Sequence, residues 1–251
     1  VVDGEGRAIA LAQLYAPHGK LHYWRALPDE PAVTGACDVL FEDELLVAAD
    51  KPHFVAVTPT GRYLQQSLLV RLRRQLGLPD LAPLHRIDRE TAGVVLFAKQ
   101  PARRGVYERL FANREVAKEY EAIAPASATL RFPLTRMEPL AEAGHFMQMR
   151  EVPAGHPGAR EARTEIELVE TRWPWARYRL HPITGRRHQL RVHMAGLGLP
   201  ILGDRIYPTL QPQDTDDPAN PLRLLARELA FRDPVTGRER CFVSTLRLVY
   251  P

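Results

Sequence analysis

The chain predicts an α+β domain built on a largely antiparallel or mixed β-sheet with flanking helices. Three observations carry that expectation. Strand-like runs outnumber helical ones along the 251 residues. They do not alternate with helices in regular βαβ order, so a doubly wound parallel sheet is not expected. The run Val94–Ala98 is apolar throughout, as a buried strand is.

Residues 1–34 read as a separate N-terminal segment. Asp3-Gly4-Glu5-Gly6 is a turn-rich opening, Leu21–Arg25 a short strand, and Pro28–Pro31 a linker. The main domain takes residues 35–251. Val39–Phe41 and Leu45–Ala49, split by Glu42-Asp43-Glu44, form a hairpin. Tyr63–Leu76 is a helix, with Leu64, Leu68, Leu72 and Leu76 at steps of four. Arg103–Asn113 is a second helix. Lys118–Ala124, Arg163–Glu170 and Ala176–His181 alternate as strands. Arg187–Leu197 is a third helix, and Leu222–Phe231 and Cys241–Val249 are closing strands. Gln211–Pro221 is a loop rich in proline and aspartate, expected to be mobile.

A hydrophobic share of 45% supports a sizeable core without disulfides, and two cysteines are too few for a disulfide framework. A reducing, cytoplasmic compartment follows as the expectation. No signal peptide is visible, and no apolar run approaches the roughly 20 residues of a membrane span. The chain opens on valine, which predicts a natural start further upstream. Net charge is +4, and of 34 basic residues only Lys20, Lys51, Lys99 and Lys118 are lysines. Arginine forks onto phosphates and stacks on bases, which suits nucleic acid. A bias toward arginine codons explains the same count equally well.

The chemistry concentrates in His85-Arg86-Ile87-Asp88-Arg89-Glu90-Thr91-Ala92-Gly93. Asp88 stands at the mouth of a buried strand, with arginines two residues before it and one after. Guanidinium groups hold such a carboxylate anionic and fixed in direction, as a carboxylate nucleophile requires. Most Arg–Asp neighbours are surface pairs worth little, so the nonapeptide does not decide the matter alone. Thr91 and Gly93 suggest a tight loop that something large approaches.

A second stretch, Pro182-Ile183-Thr184-Gly185-Arg186-Arg187-His188-Gln189-Leu190-Arg191-Val192-His193, reads as a turn entering a helix. Arg187 and Arg191 then share one face, and helix N-terminal amides with such arginines make an anion site. His188 and His193, five apart, fall on different faces, so no zinc pair is expected. Neither Cys-x-x-Cys nor a phosphate-binding glycine loop is present, which leaves zinc deaminases and nucleotide-dependent enzymes unsupported. Two further blocks are Lys118-Glu119-Tyr120-Glu121-Ala122 and Phe41–Glu44 with Asp50-Lys51-Pro52. On its own a strand tyrosine is a packing residue, and the second block a hairpin with a charged turn.

Together with Leu199–Tyr207, these blocks cover roughly residues 37–250 in order, and the chain resembles the RluA-type pseudouridine synthases. The resemblance implies isomerisation of a specific uridine to pseudouridine in structured RNA, ribosomal or transfer, after the base is flipped out. It implies Asp88 as nucleophile, Arg191 as its ion-pair partner and Tyr120 as the residue packed on the uracil and moving a proton. Arg86 would fill the gap in the RNA stack. Arg86, Arg89, Arg186, Arg187, His188 and Lys51 are expected RNA contacts, in a basic cleft from which Asp214, Asp216 and Asp217 stay away. The N-terminal segment would be at most the degenerate tail of an S4-like module. No metal, cofactor or membrane is implied, and a monomer is expected. Ala92, His53-Phe54, Leu225 and Asp233 depart from the family's usual residues and leave the RNA target open. The alternative is a non-catalytic RNA-binding or ribosome-associated module; intact Asp88, Tyr120 and Arg191 argue against it.

Overall fold

Two apolar runs set the architecture: Leu46–Ala49, which opens β4 (Leu46–Lys51), and β6 (Ala92–Ala98), both strands buried at every residue. Strands covered on both faces read as unbroken apolar sequence and belong in the middle of a sheet. The computed structural model describes the chain except residues 11, 15–16, 24–29, 31–32, 34, 62 and 213–215. It divides into Val1–Pro31 and Ala32–Pro251.

In the first unit β1 (Val2–Asp3) pairs antiparallel with β2 (Leu21–His22), and the Asp3 carboxylate accepts the backbone N–H of Glu5 and Arg7. The expected strand is therefore shorter. Its Trp24-Arg25 end lies outside the described residues, as does the linker apart from Glu30.

The second unit is a mixed ten-stranded sheet with three helices. Its remaining strands are β3 (Asp38–Glu42), β5 (Ala82–Pro83), β7 (Ala117–Pro125), β8 (Leu134–Arg136), β11 (Thr164–Arg172), β12 (Trp175–Pro182), β13 (Leu224–Arg232) and β14 (Glu239–Val243). The order is β3-β4-β6-β13-β7-β12-β11-β8, with β14 on β13 and β5 on β6. β9 (Leu140–Glu142) and β10 (Met149–Glu151) form a separate hairpin. β6 and β13 run parallel, and the other pairs are antiparallel.

Strand alternation puts a helix on each face of β6. Val94, Leu96 and Ala98 pack with Tyr107 and Leu110 of α2 (Pro101–Ala112). Val95 and Phe97 pack with Leu68, Leu69 and Leu72 of α1 (Leu68–Leu76). Further along the sheet, Tyr178 and Leu180 of β12 cover Leu190 and Met194 of α3 (Gln189–Gly196).

Two departures from the expected bounds are caused by partners from other elements. α1 begins five residues late because the N–H groups of Leu68 and Leu69 bond Ala56 and Val57 carbonyls, which closes the helix start there. It ends at Gly77, left-handed at φ 67°. β14 stops at Val243 because the buried Asp50 carboxylate accepts from the Ser244 hydroxyl and from the Thr245 N–H and hydroxyl at 2.6–2.9 Å. Gly93 answers to the chain itself: a Cβ there would lie 2.1 Å from the Ala226 carbonyl oxygen of β13. The large group expected to approach this glycine is a neighbouring strand.

Candidate active site

Asp88 lies in the loop between β5 and β6, its side chain 25% exposed. Lys51 fixes that loop from beneath. Its fully buried ammonium donates to the carbonyls of Pro52, Val55 and Arg89 at 2.8–3.0 Å. Three acceptors match the three protons of an ammonium. Burial pulls the Lys51 pKa down to about 7, against the opposing pull of the Glu90 and Asp88 charges. Lys51 therefore organises backbone: its ammonium is fully buried with its three protons taken, and is not offered at the surface where an RNA contact was expected.

Arg191 rises from α3 and is 1% exposed. Its Nε and Nη2 form a fork on the Asp204 carboxylate at 2.8 and 2.7 Å. The remaining nitrogen, Nη1, donates to Asp88 Oδ2 at 3.3 Å and lies 3.6 Å from Glu90. Burial opposes the charge, but the Asp204 bonds and the charges of Asp204, Asp88 and Glu90 outweigh it, so the guanidinium is held above its ordinary range. Asp204 also accepts the N–H groups of Ile206 and Tyr207. The ion pair expected between Asp88 and Arg191 is present. Asp204 was not singled out from sequence, because a carboxylate in a loop thirteen residues from the arginine carries no local signal.

Tyr120 stands on β7, half-buried, among the residues that line the same cleft as Asp88. Burial first, then the Asp88 charge, pushes its hydroxyl above the usual range and keeps it protonated. His188 precedes α3 in a left-handed conformation (φ 54°). Arg187 consequently lies outside the helix and does not share a helical face with Arg191. His193 is fully buried between the Thr164 hydroxyl and the Glu138 carbonyl, an ordinary structural histidine.

Asp88, Tyr120, His188 and Arg191 line a cleft of about 970 Å³. Arg86, Arg89, Arg186 and Arg187 all line it, as expected, and Arg114 and Lys118 join them. Asp88 is the one carboxylate among the described residues that line it. Arg86 is exposed and has no hydrogen-bond or ion-pair partner among the described residues. Arg186 uses Nε on the Glu161 carbonyl, and Arg187 is tied to the Phe146 carbonyl. Arg89 differs. Its guanidinium forks onto Asp216 at 2.6 and 2.8 Å and lies over the rings of Phe54 and Tyr63. Asp216 thus abuts the cleft wall rather than avoiding it, because it neutralises a half-buried arginine. Asp217 caps the turn to Asn220, and Asp214 lies outside the described residues. Among the described residues no group of three or more His, Cys, Asp or Glu could hold a metal ion.

Residues 45–196, which include Asp88, Tyr120 and Arg191, match the family model described as RNA pseudouridylate synthase. The chain is 34% identical over 221 residues to the dual-specificity RNA pseudouridine synthase RluA of Escherichia coli K12, covering 86% of this chain and 94% of that protein. It is 34% identical over 184 residues to the mitochondrial tRNA pseudouridine(32) synthase of Saccharomyces cerevisiae, covering 71% of this chain but 38% of the yeast protein. Human RNA pseudouridylate synthase domain containing 4 superposes with a TM-score of 0.66 at 28% identity, over 83% of this chain and 88% of that one. With the aspartate, arginine and tyrosine gathered at one cleft and these likenesses spanning the sheet that holds them, the chain belongs to the RNA pseudouridylate synthase family.

Proposed function

We propose that the protein converts uridine to pseudouridine in structured RNA, with Asp88 as nucleophile. The observation that carries this reading is a partly exposed carboxylate fixed by a buried, doubly anchored arginine, alone among the cations of a wide cleft. The reaction breaks the bond between ribose C1′ and uracil N1, turns the base, and joins C1′ to C5; C5 gives up its proton and N1 takes one up, so the mass is unchanged. Those atoms are covered in a stacked helix, so the uridine is flipped out at a cost of a few kcal/mol, least in loops and bulges.

Asp88 attacks at ribose C1′ or at uracil C6. Arg191 keeps its Oδ2 occupied and the carboxylate aimed. Tyr120, its hydroxyl protonated, packs on the base and assists proton movement at C5. Arg86, unpartnered and exposed, enters the space the base leaves. The isomerisation is redox-neutral and calls for no cofactor. Ribosomal and transfer RNA are the proposed substrates, and the name of the yeast relative supports transfer RNA. Action as a monomer is part of the proposal, and Asp88, Arg191 and Tyr120 stand at one cleft without a residue from a second copy being called for. Cys37 and Cys241 are both free thiols, which fits a reducing, cytoplasmic compartment.

The test is pseudouridine mapping of unmodified ribosomal and transfer RNA transcripts after incubation with the protein, and of cellular RNA with and without the gene. New pseudouridine at discrete sites, with RNA mass unchanged, is expected. Binding without any new pseudouridine would leave an RNA-binding module instead.

A further inference from the structure

The two oxygens of Asp88 have different neighbours. Oδ2 takes the hydrogen bond of Arg191 at 3.3 Å, and Oδ1 faces Nε2 of His188 at 3.9 Å. The other imidazole nitrogen, Nδ1, is 2.9 Å from the hydroxyl of Tyr207. That hydroxyl already accepts the backbone N–H of Met149 at 2.7 Å. Tyr207 is 6% exposed, and burial pushes its pKa up to about 12, so it keeps its proton.

Hydrogen-bond accounting then fixes the histidine. The Met149 N–H can only donate. The Tyr207 hydroxyl therefore spends acceptor capacity on it and needs an acceptor for its own proton. Among the described residues, His188 Nδ1 is the acceptor within reach. A protonated Nδ1 would place two donors on the Tyr207 oxygen and strand the phenolic proton in a buried site. Nδ1 is thus the bare nitrogen, and the proton of neutral His188 sits on Nε2, on the side of Asp88.

We propose that His188, locked by Tyr207 as the Nε2–H tautomer, is a second positioning residue for the nucleophile, holding Oδ1 of Asp88 as Arg191 holds Oδ2. A distance of 3.9 Å is too long for a hydrogen bond, and the contact tightens when RNA enters the cleft. With one donor on each oxygen, rotation of the carboxylate is arrested. A neutral donor orients without adding charge. Burial favours the neutral imidazole and the Arg191 and Arg187 charges reinforce it, while Asp88 and Glu90 oppose. The strained left-handed backbone of His188 is consistent with a side chain held for a purpose. The same link places Tyr207, outside the family-matched segment, in the supporting shell of the site.

The tautomer assignment stands on geometry alone, and its consequence for rate rests on the pseudouridine synthase reading. Two measurements keep them apart. Long-range 1H–15N NMR of the free protein at neutral pH should show His188 protonated at Nε2, and Tyr207→Phe should mix or reverse the tautomers. Single-turnover pseudouridine formation on unmodified ribosomal and transfer RNA transcripts should fall about 10²-fold in His188→Leu, as for a misplaced reacting group, with RNA affinity unchanged. His188→Gln, whose amide nitrogen can stand near Nε2, should recover most of the rate, and Tyr207→Phe should be slowed less than His188→Leu. An Nδ1–H tautomer in the wild-type protein overturns the assignment without any RNA. A wild-type rate in His188→Leu, or a loss confined to RNA affinity, overturns the positioning role; if that variant does not fold, an unchanged tautomer and rate in Tyr207→Phe does so. Wild-type protein that shows the Nε2–H tautomer yet modifies no RNA refutes the functional reading and the positioning role while the tautomer stands.

Discussion

Arg191 gives two of its three guanidinium nitrogens to Asp204 and only the third to Asp88. The division matters because the fork, with its two short bonds, sets where the guanidinium lies, and the longer single bond sets where the nucleophile points. Asp204 is therefore expected to govern Asp88 from a distance. Replacing Asp204 with alanine leaves a buried cation with only its longer contacts, Asp88 at 3.3 Å and Glu90 at 3.6 Å. Breaking a buried pair in this way costs about 3–5 kcal/mol. Chemical denaturation should show that loss, and the surviving folded enzyme should turn over slowly. Arg191→Lys keeps the charge but not the fork, so it should also be impaired.

Asp88→Asn removes the nucleophile and little else. Arg191 retains its Asp204 fork, and the cations of the cleft are untouched. Product formation should vanish while thermal stability and RNA affinity stay near wild type. A gel-shift titration beside a pseudouridine assay separates the two effects, and an active Asp88→Asn enzyme would remove Asp88 from the mechanism.

Tyr120→Phe retains the ring that lies in the cleft and removes the hydroxyl. If that hydroxyl moves a proton, the variant should bind RNA normally and turn over poorly, with the loss in kcat and not in KM. Unchanged kcat would reduce Tyr120 to a packing surface.

Asp88 stood out in sequence through its charged run at a strand mouth, whereas Arg191 and Tyr120 were marked by the resemblance alone, since a basic turn into a helix and a tyrosine in an alternating strand read locally as an ordinary helix face and a packing residue. The central strands were legible because β6 is apolar throughout and β4 is apolar from Leu46 to Ala49. What escaped depends on distant segments meeting. Lys51 reads as a surface cation until Pro52, Val55 and Arg89 bring three carbonyls to it. Asp204 and Tyr207 were quoted only as part of a motif, since nothing near them in the chain announces Arg191 or His188. The late start of α1 and the early end of β14 follow from backbone and side-chain partners supplied by other elements.

Lys51 makes stability depend on alkaline pH. Its pKa falls from 10.5 when exposed to about 7 in the fold, so between these values the unfolded chain binds more protons than the folded one. Stability from this group therefore rises with pH from about 7 to 10.5 and is flat below 7. Lys51→Met should flatten that part of the stability profile, although it also leaves three carbonyls unpaired and lowers stability at every pH. Denaturant midpoints collected across the window decide the point: an unaltered slope in Lys51→Met would assign the pH dependence to another group.

Thirty arginines prove little by themselves, because many are committed elsewhere. Arg136 is bonded to Glu151, Arg177 to Glu121, and Arg240 to Asp43 and Asp233. The cleft is different: beside Asp88 its lining holds cations with spare donors, among them Arg86, Arg186 and Arg187. Those groups should neutralise phosphates, so RNA affinity should fall with salt at a log–log slope of about −0.7 per contact for a single strand. Arg187→Ala should make the slope shallower by about that amount. Arg103→Ala, on the exposed side of α2 and outside the cleft lining, should leave it unchanged. Equal effects from the two variants would mean that the positive charge acts as a diffuse field over the whole surface, and the cleft would lose its claim to the RNA backbone even with Asp88 as the nucleophile.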